Sequence, residues 1–257
     1  MLPKIAVAAA FTSLAAAGIL QECINISYRQ DWLVADCLTG DGTGTRINSA
    51  VYIENKFTNN DANLRWQANG GYRLSCRGCT MVGTIFSCSC RPNFLDYRQT
   101  SINIEEHIGV YKGYLLSNLT GPPQIPSKSS TVPVPSDFSY TLRVGSTNCT
   151  SPENYDDCDS TKPSARPADC GEGVLASSAV GSDCLVNRWY FPWEVYTSFQ
   201  SINPAPAVSN AWSFTVYDGY QCNGAVLGKA APGTCSKYSK YGVGVKVEPL
   251  FNGDWRV

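Results

Sequence analysis

The chain has 257 residues, 43% of them apolar and 16% charged, with 12 cysteines, one histidine and a net charge of −1. Twenty Lys and Arg against 21 Asp and Glu leave no overall surplus to neutralise phosphates, which argues against nucleic acid as a partner. A chain this long buries one large core or two ordinary ones, so a wholly disordered protein is excluded.

Lys4 precedes an alanine-rich apolar stretch from Ile5 to Leu20, and Ala15-Ala16-Ala17 offers the small residues at which signal peptidase cuts. The stretch falls short of the roughly 20 strongly apolar residues a bilayer span needs, and no later segment reaches that length. Residues 1–17 read as a signal peptide and the mature chain as a secreted, extracellular protein with no membrane span. In an oxidising compartment an even number of cysteines predicts disulfides. Three glycosylation sequons fit that route, at Asn25, Asn118 and Asn148.

From about residue 22, short alternating runs such as Ile24-Asn25-Ile26, Leu33-Val34-Ala35 and Val51-Tyr52-Ile53 alternate with Gly, Asn and Asp turns, which predicts β structure. The pattern repeats. Cys23 and Cys37 are spaced like Cys76 and Cys90 at a shift of 53, and Val51, Ile53, Glu54, Phe57 and Leu64 align with Ile102, Ile104, Glu105, Ile108 and Leu115 at a shift of 51. Two copies favour a compact pseudo-symmetric domain, because solenoids need about three units or more.

In an antiparallel hairpin, facing residues have position numbers of nearly constant sum. Cys76 with Cys90 gives 166 and Cys79 with Cys88 gives 167, so a hairpin turning near Gly83-Thr84 places both pairs opposite each other, with a bulge taking up the difference. Cys23 and Cys37 bracket a turn near Gln30-Asp31, where Ile26 and Ala35 match Cys79 and Cys88. Cys76-x-x-Cys79 with Cys88-x-Cys90 also suits a four-thiolate zinc site; the oxidising compartment favours bridges.

These residues resemble a known family. The cysteines, the stretch Asn59-Asn60-Asp61-Ala62-Asn63-Leu64-Arg65-Trp66-Gln67, and Ile102-Asn103-Ile104-Glu105-Glu106-His107-Ile108 closely resemble the cyanovirin-N family of sugar-binding proteins over about residues 22–115. The resemblance implies a β-rich fold whose repeats exchange strands, and lectin activity toward mannose-type glycans with no metal or cofactor. It assigns one sugar pocket to Asn59, Asp61 and Ser75, with Thr58, Asn69 and Asn93 at positions where the family carries other polar groups. Short Asn, Asp, Ser and Thr groups suit a sugar's hydroxyls, each both donor and acceptor. At the second family pocket stand Glu22, Leu38, Gly40, Val110 and Lys112; three of these lack any hydrogen-bonding side chain, so that pocket is expected to be silent or changed in ligand.

Residues 117–136 hold five prolines and no aromatic residue, and read as a solvated linker that leaves six cysteines on each side. Beyond it, Tyr140–Val144, Trp212–Tyr217 and Val243–Val247 alternate as strands, predicting a second disulfide-stapled β domain over 137–257 of no recognised family. The fold class is therefore all-β in two parts. Asp156, Asp157 and Asp159 read as a solvated loop, and the aromatic run from Trp189 to Tyr196 as core. His107 is the lone histidine, so a Ser-His or Cys-His pair has one possible centre, and a structural role is expected for it. Two alternatives to a non-enzymatic lectin stay open. One is a carbohydrate-active enzyme using carboxylates such as Asp218, Glu194 and Glu248; the other is a structural or effector-like protein whose sugar pockets have decayed.

Overall fold

The structure is a computed structural model that describes residues 18–92, 96–145, 172–186, 198–201, 211–230, 235–238 and 242–257. The signal-peptide segment, Asn93, the sequon at Asn148, Cys149, Cys158 and Cys170, the Asp156–Asp159 loop and the run Trp189–Tyr196 lie outside the described residues. The chain is all-β in two parts, as the sequence patterning requires.

After one helical turn at Ile19–Glu22, the first repeat forms β1 (Cys23–Arg29), β2 (Trp32–Leu38) and β3 (Arg46–Tyr52), followed by the hairpin of β4 (Phe57–Asn60) and β5 (Asn63–Trp66). The second repeats this as β6 (Cys76–Val82), β7 (Ile85–Cys90) and β8 (Arg98–Asn103), then β9 (Ile108–Tyr111) and β10 (Tyr114–Ser117). Each hairpin docks on the other repeat's sheet through matching bonds. Leu64 N–H donates to Thr100 Oγ1 at 3.1 Å, and Leu115 N–H donates to Ser49 Oγ at 3.0 Å. The repeats thus exchange hairpins.

Bridges join Cys23 to Cys37, Cys76 to Cys90 and Cys79 to Cys88, which settles the thiols against zinc. Both cysteine hairpins carry the bulge that the unequal sums demand, between Arg77 and Thr80 and, at the matching place, between Ile24 and Ser27. The extra residue adopts a left-handed backbone in both copies, Gly78 with φ 60° and Asn25 with φ 55°. The first core forms between the repeats around Leu33, Val51, Ile53, Phe57, Tyr72 and Phe86. Buried Asp31 pins its edge, accepting hydrogen bonds from Tyr28 (2.7 Å) and Tyr72 (2.6 Å) and pairing with Arg73. Burial pushes both phenols well above their ordinary range, so they remain donors.

The C-terminal part builds β11 (Tyr140–Gly145), β12 (Glu172–Ser178), β13 (Ser182–Val186), β14 (Ser198–Ser201), β15 (Trp212–Tyr217), β16 (Val226–Ala230), β17 (Cys235–Lys237), β18 (Gly244–Pro249) and β19 (Gly253–Asp254). One sheet has the order β12-β11-β14-β17 and another β13-β18-β15-β16, and Cys184–Cys222 staples the second. Their core is continuous with the outer face of the first repeat's sheet. Along β2 and β3, Leu33, Ala35 and Val51 enter the first core while the alternate residues Trp32, Val34, Ala50 and Tyr52 enter the second. The Trp32 ring stacks on Phe138 at 4.9 Å and touches Tyr52, Trp212 and Phe251, and its Nε1–H donates to Ala179 O at 2.6 Å.

The C-terminal strand β19 runs parallel to β3, extending the first sheet to four strands. Lys56, fully buried, donates to Tyr52 O and Arg256 O at 2.6 Å each and to Asn55 Oδ1 at 3.2 Å. Burial lowers its pKa to about 8, against a smaller opposing pull from Asp254. Of segment 117–136 only Ser117, the end of β10, lies in a strand, but the rest is not wholly solvated: Val132 and Val134 pack on the second core, Val132 bridges to Phe251, and Val134 N–H donates to Asn48 Oδ1 at 3.1 Å.

Candidate functional site

The turn between β4 and β5 is Asp61-Ala62, with φ of 51° and 64°. Two consecutive left-handed residues make the two-residue turn that matches strand twist, and Asp is among the residues that tolerate it. Strand alternation then turns Asn59 to the same side as Phe57, toward the domain, and Thr58 to the other side, opposite Arg65.

Asn59 is half-buried, and its amide is fixed in direction: Nδ2 donates to Ser75 Oγ at 2.8 Å and to Arg91 O at 2.9 Å. Its Oδ1 is buried without a hydrogen bond. Ser75 and Arg91 are themselves tied, Arg91 N–H donating to Ser75 O at 2.9 Å beside the Cys76–Cys90 bridge. The bridge thus sets the corner on rigid backbone.

Approach of the 67–71 loop to β4 needs Gly70, since a Cβ there would lie 2.0 Å from Phe57 O. Asn69 is exposed on that loop with φ 57°, and Asp61 is exposed at the turn tip. The structure therefore joins Asn59 to Ser75, with Asp61 two residues along the chain from Asn59 and Asn69 on the loop that leads to Ser75; Thr58 lies across the strand, and Asn93 is outside the described residues. Arg91, whose carbonyl orients Asn59, was not singled out by sequence. The signal was present, because Ser75 with Arg91 gives the same sum as Cys76 with Cys90.

At the other end of the domain Val110 is buried, Lys112 is exposed with φ 52°, and Gly40 lies in an exposed loop with φ 73°. There Thr43 donates to Asp41 Oδ1 from its hydroxyl at 2.6 Å and its amide at 2.9 Å, which lowers the Asp41 pKa. His107 Nδ1 lies 2.8 Å from Asn118 Oδ1 and the ring meets Trp66 edge-on, a structural setting. Asn25 and Asn118 are both exposed, with Asn25 Nδ2 donating to Asp36.

Among the candidate carboxylates, Asp218 Oδ1 accepts the Ala225 amide and Glu248 pairs with Lys246; Glu194 is outside the described residues. A concavity of about 840 Å³ lies away from the Asn59 corner, lined by Tyr114, Leu116, Pro122, Lys128 and Trp255 among others. Among the described residues no three His, Cys, Asp or Glu side chains gather as a metal site, and no helix is long and apolar enough to cross a membrane.

Two sheets of three strands that trade hairpins around one core, clamped by cross-strand disulfides, define a pseudo-symmetric tandem-repeat β domain. Residues 20–116 match the family model described as the CVNH domain, and this part of the chain belongs to that family.

Several solved structures are similar. A variant of MoCVNH3 (Mo0v) in complex with (N-GlcNAc)4 is 18% identical, covering 40% of this chain and 99% of its own, with a TM-score of 0.36. GzCVNH of Gibberella zeae is 20% identical over 38% of this chain and 94% of its own, TM-score 0.33. A microvirin:mannobiose complex is 19% identical over 39% and 97%, TM-score 0.34. None of the curated proteins matches the chain.

Proposed function

We propose that the protein is a secreted carbohydrate-binding protein, a lectin rather than an enzyme, that takes mannose-type glycans at the corner formed by Asn59, Ser75 and Asp61. Membership of residues 20–116 in the CVNH family supports the class. The observation that carries the site is the fixed amide of Asn59. Both amide hydrogens of Asn59 are used, on Ser75 Oγ and Arg91 O, so Asn59 fixes the direction of the corner's polar groups, and such fixed directions suit a sugar site. Around it Ser75 keeps a hydroxyl hydrogen to donate and Asp61 presents an exposed acceptor, the mix that a sugar's hydroxyls require.

The test is titration calorimetry of the full chain with mannobiose and with a GlcNAc oligomer, repeated on Asn59→Ala and Asp61→Gly. Each substitution is expected to weaken binding by roughly tenfold or more. Asp61 is exposed but has a left-handed backbone, so Asp61→Gly, which keeps that backbone and removes the acceptor, separates recognition from folding. If both variants bind as wild type does, the corner is not the site. Secretion is tested by the mature amino terminus, expected at Gly18, and by a mass shift on enzymatic removal of N-glycans.

A further inference from the structure

Charge is unevenly spread. Residues 57–103 contain five arginines and two aspartates and no lysine, glutamate or histidine, a local surplus of three positive charges on a chain whose net charge is −1. Arg73 is spent on Asp31. By chain position and strand register, the backbones of the other four neighbour the residues of the Asn59 corner. Arg91 contributes the carbonyl that holds Asn59, Arg77 is two residues past Ser75, Arg65 sits opposite Thr58, and Arg98 is paired with Cys90.

The Arg77 guanidinium lies over the Tyr97 ring, 3.7 Å from its centroid, with that of Arg91 6.0 Å from the same ring. Tyr97 is 37% exposed and Arg77 is exposed. Among the described residues Arg77 forms no ion pair. The two aspartates of the stretch are Asp61 at the turn tip and Asp96 beside Tyr97, both exposed.

A guanidinium resting on a ring face is held in place while its edge N–H groups still point outward, in the fork that fits a carboxylate, sulfate or phosphate. We propose that the glycan taken at the Asn59–Ser75 corner carries an acidic group, and that Arg77, held on the face of Tyr97, binds that group. This rests on the lectin reading above and adds the chemical class of its ligand.

Matched tetrasaccharides test it on the full chain: neutral mannotetraose, tetramannuronate, and mannotetraose bearing 6-O-sulfate, titrated at low and high NaCl. The acidic forms should bind at least tenfold tighter than the neutral one at low salt, the worth of one charged hydrogen bond, and the margin should shrink as salt rises. The carboxylate and sulfate arms show which acid is preferred. Arg77→Ala should erase the margin and Arg77→Lys should keep part of it.

Equal affinity for acidic and neutral forms overturns the inference, as does a margin that survives Arg77→Ala. Acidic binding indifferent to Asn59→Ala also overturns it, since a bare charge patch would then act alone. Neutral binding lost in Asn59→Ala with no acidic margin leaves the lectin reading standing; no binding by any oligosaccharide to the folded chain removes both.

Discussion

Trp32→Ala is the sharpest perturbation of the shared core. The side chain is fully buried, stacks on Phe138, and touches Tyr52, Trp212 and Phe251. Truncating a buried Trp costs about 3–5 kcal/mol through lost transfer energy and a residual cavity, and the aromatic contacts and the orphaned Ala179 carbonyl place this site at the upper end. A loss of about 5 kcal/mol corresponds to roughly 10–20 °C in melting temperature for a chain of this size. Its counterpart in the second repeat is Ile85, 43% exposed, where Ile85→Ala should cost under about 1 kcal/mol. Hydrogen exchange on amides of β7 and β15 reads the two parts separately. Both should lose protection together in Trp32→Ala. If only β15 loses it, or if the two alanine variants cost the same, the two parts do not share a core. Trp32→Phe, which keeps a ring but gives up the bond to Ala179, should fold with a loss of about 1–2 kcal/mol and serves if the alanine variant does not.

Lys56→Met removes the donor that three acceptors share and should cost about 3 kcal/mol in urea unfolding at pH 7. The pKa of Lys56 is lower in the folded chain than in the unfolded one, so the unfolded chain binds more protons between about pH 8 and the ordinary lysine value. Wild-type stability should therefore rise with pH across that window relative to Lys56→Met, and a flat difference would refute the burial of a charged ammonium. Replacing Cys79 and Cys88 by Ile and Ala copies the first repeat's Ile26 and Ala35 and releases a 9-residue span, which should cost roughly 2–3 kcal/mol by chemical denaturation without loss of fold. A fragment ending at residue 120 keeps its three bridges but bares Trp32, Val34, Ala50 and Tyr52; light scattering should show it self-associating, whereas the full chain does not.

The first domain was legible because its constraints are local or covalent. Constant sums located the β6–β7 hairpin, its bulge and the two bridges, and the 51-residue shift paired Leu64 with Leu115, whose amides make the matching bonds that join the repeats. The joint core was not legible from either part alone, since alternation says that a face is apolar without saying what covers it. Comparison of the copies holds the clue. Trp32, Val34, Ala50 and Tyr52 stand where the second repeat has Ile85, Ser87, Ser101 and Asn103, so one outward face is built for burial and the other for water. A two-residue parallel strand such as Gly253–Asp254 has no local signal, and nothing in Glu54-Asn55-Lys56 announces a buried lysine. At the candidate site the turn chemistry of Asp61-Ala62 was readable, while the part of Arg91 depends on a carbonyl, which every residue possesses.

Because Trp32 and its neighbours belong to the cores of both parts, the described strands of the two parts are tied side chain to side chain and should tumble as one body, their amides sharing a single rotational correlation time.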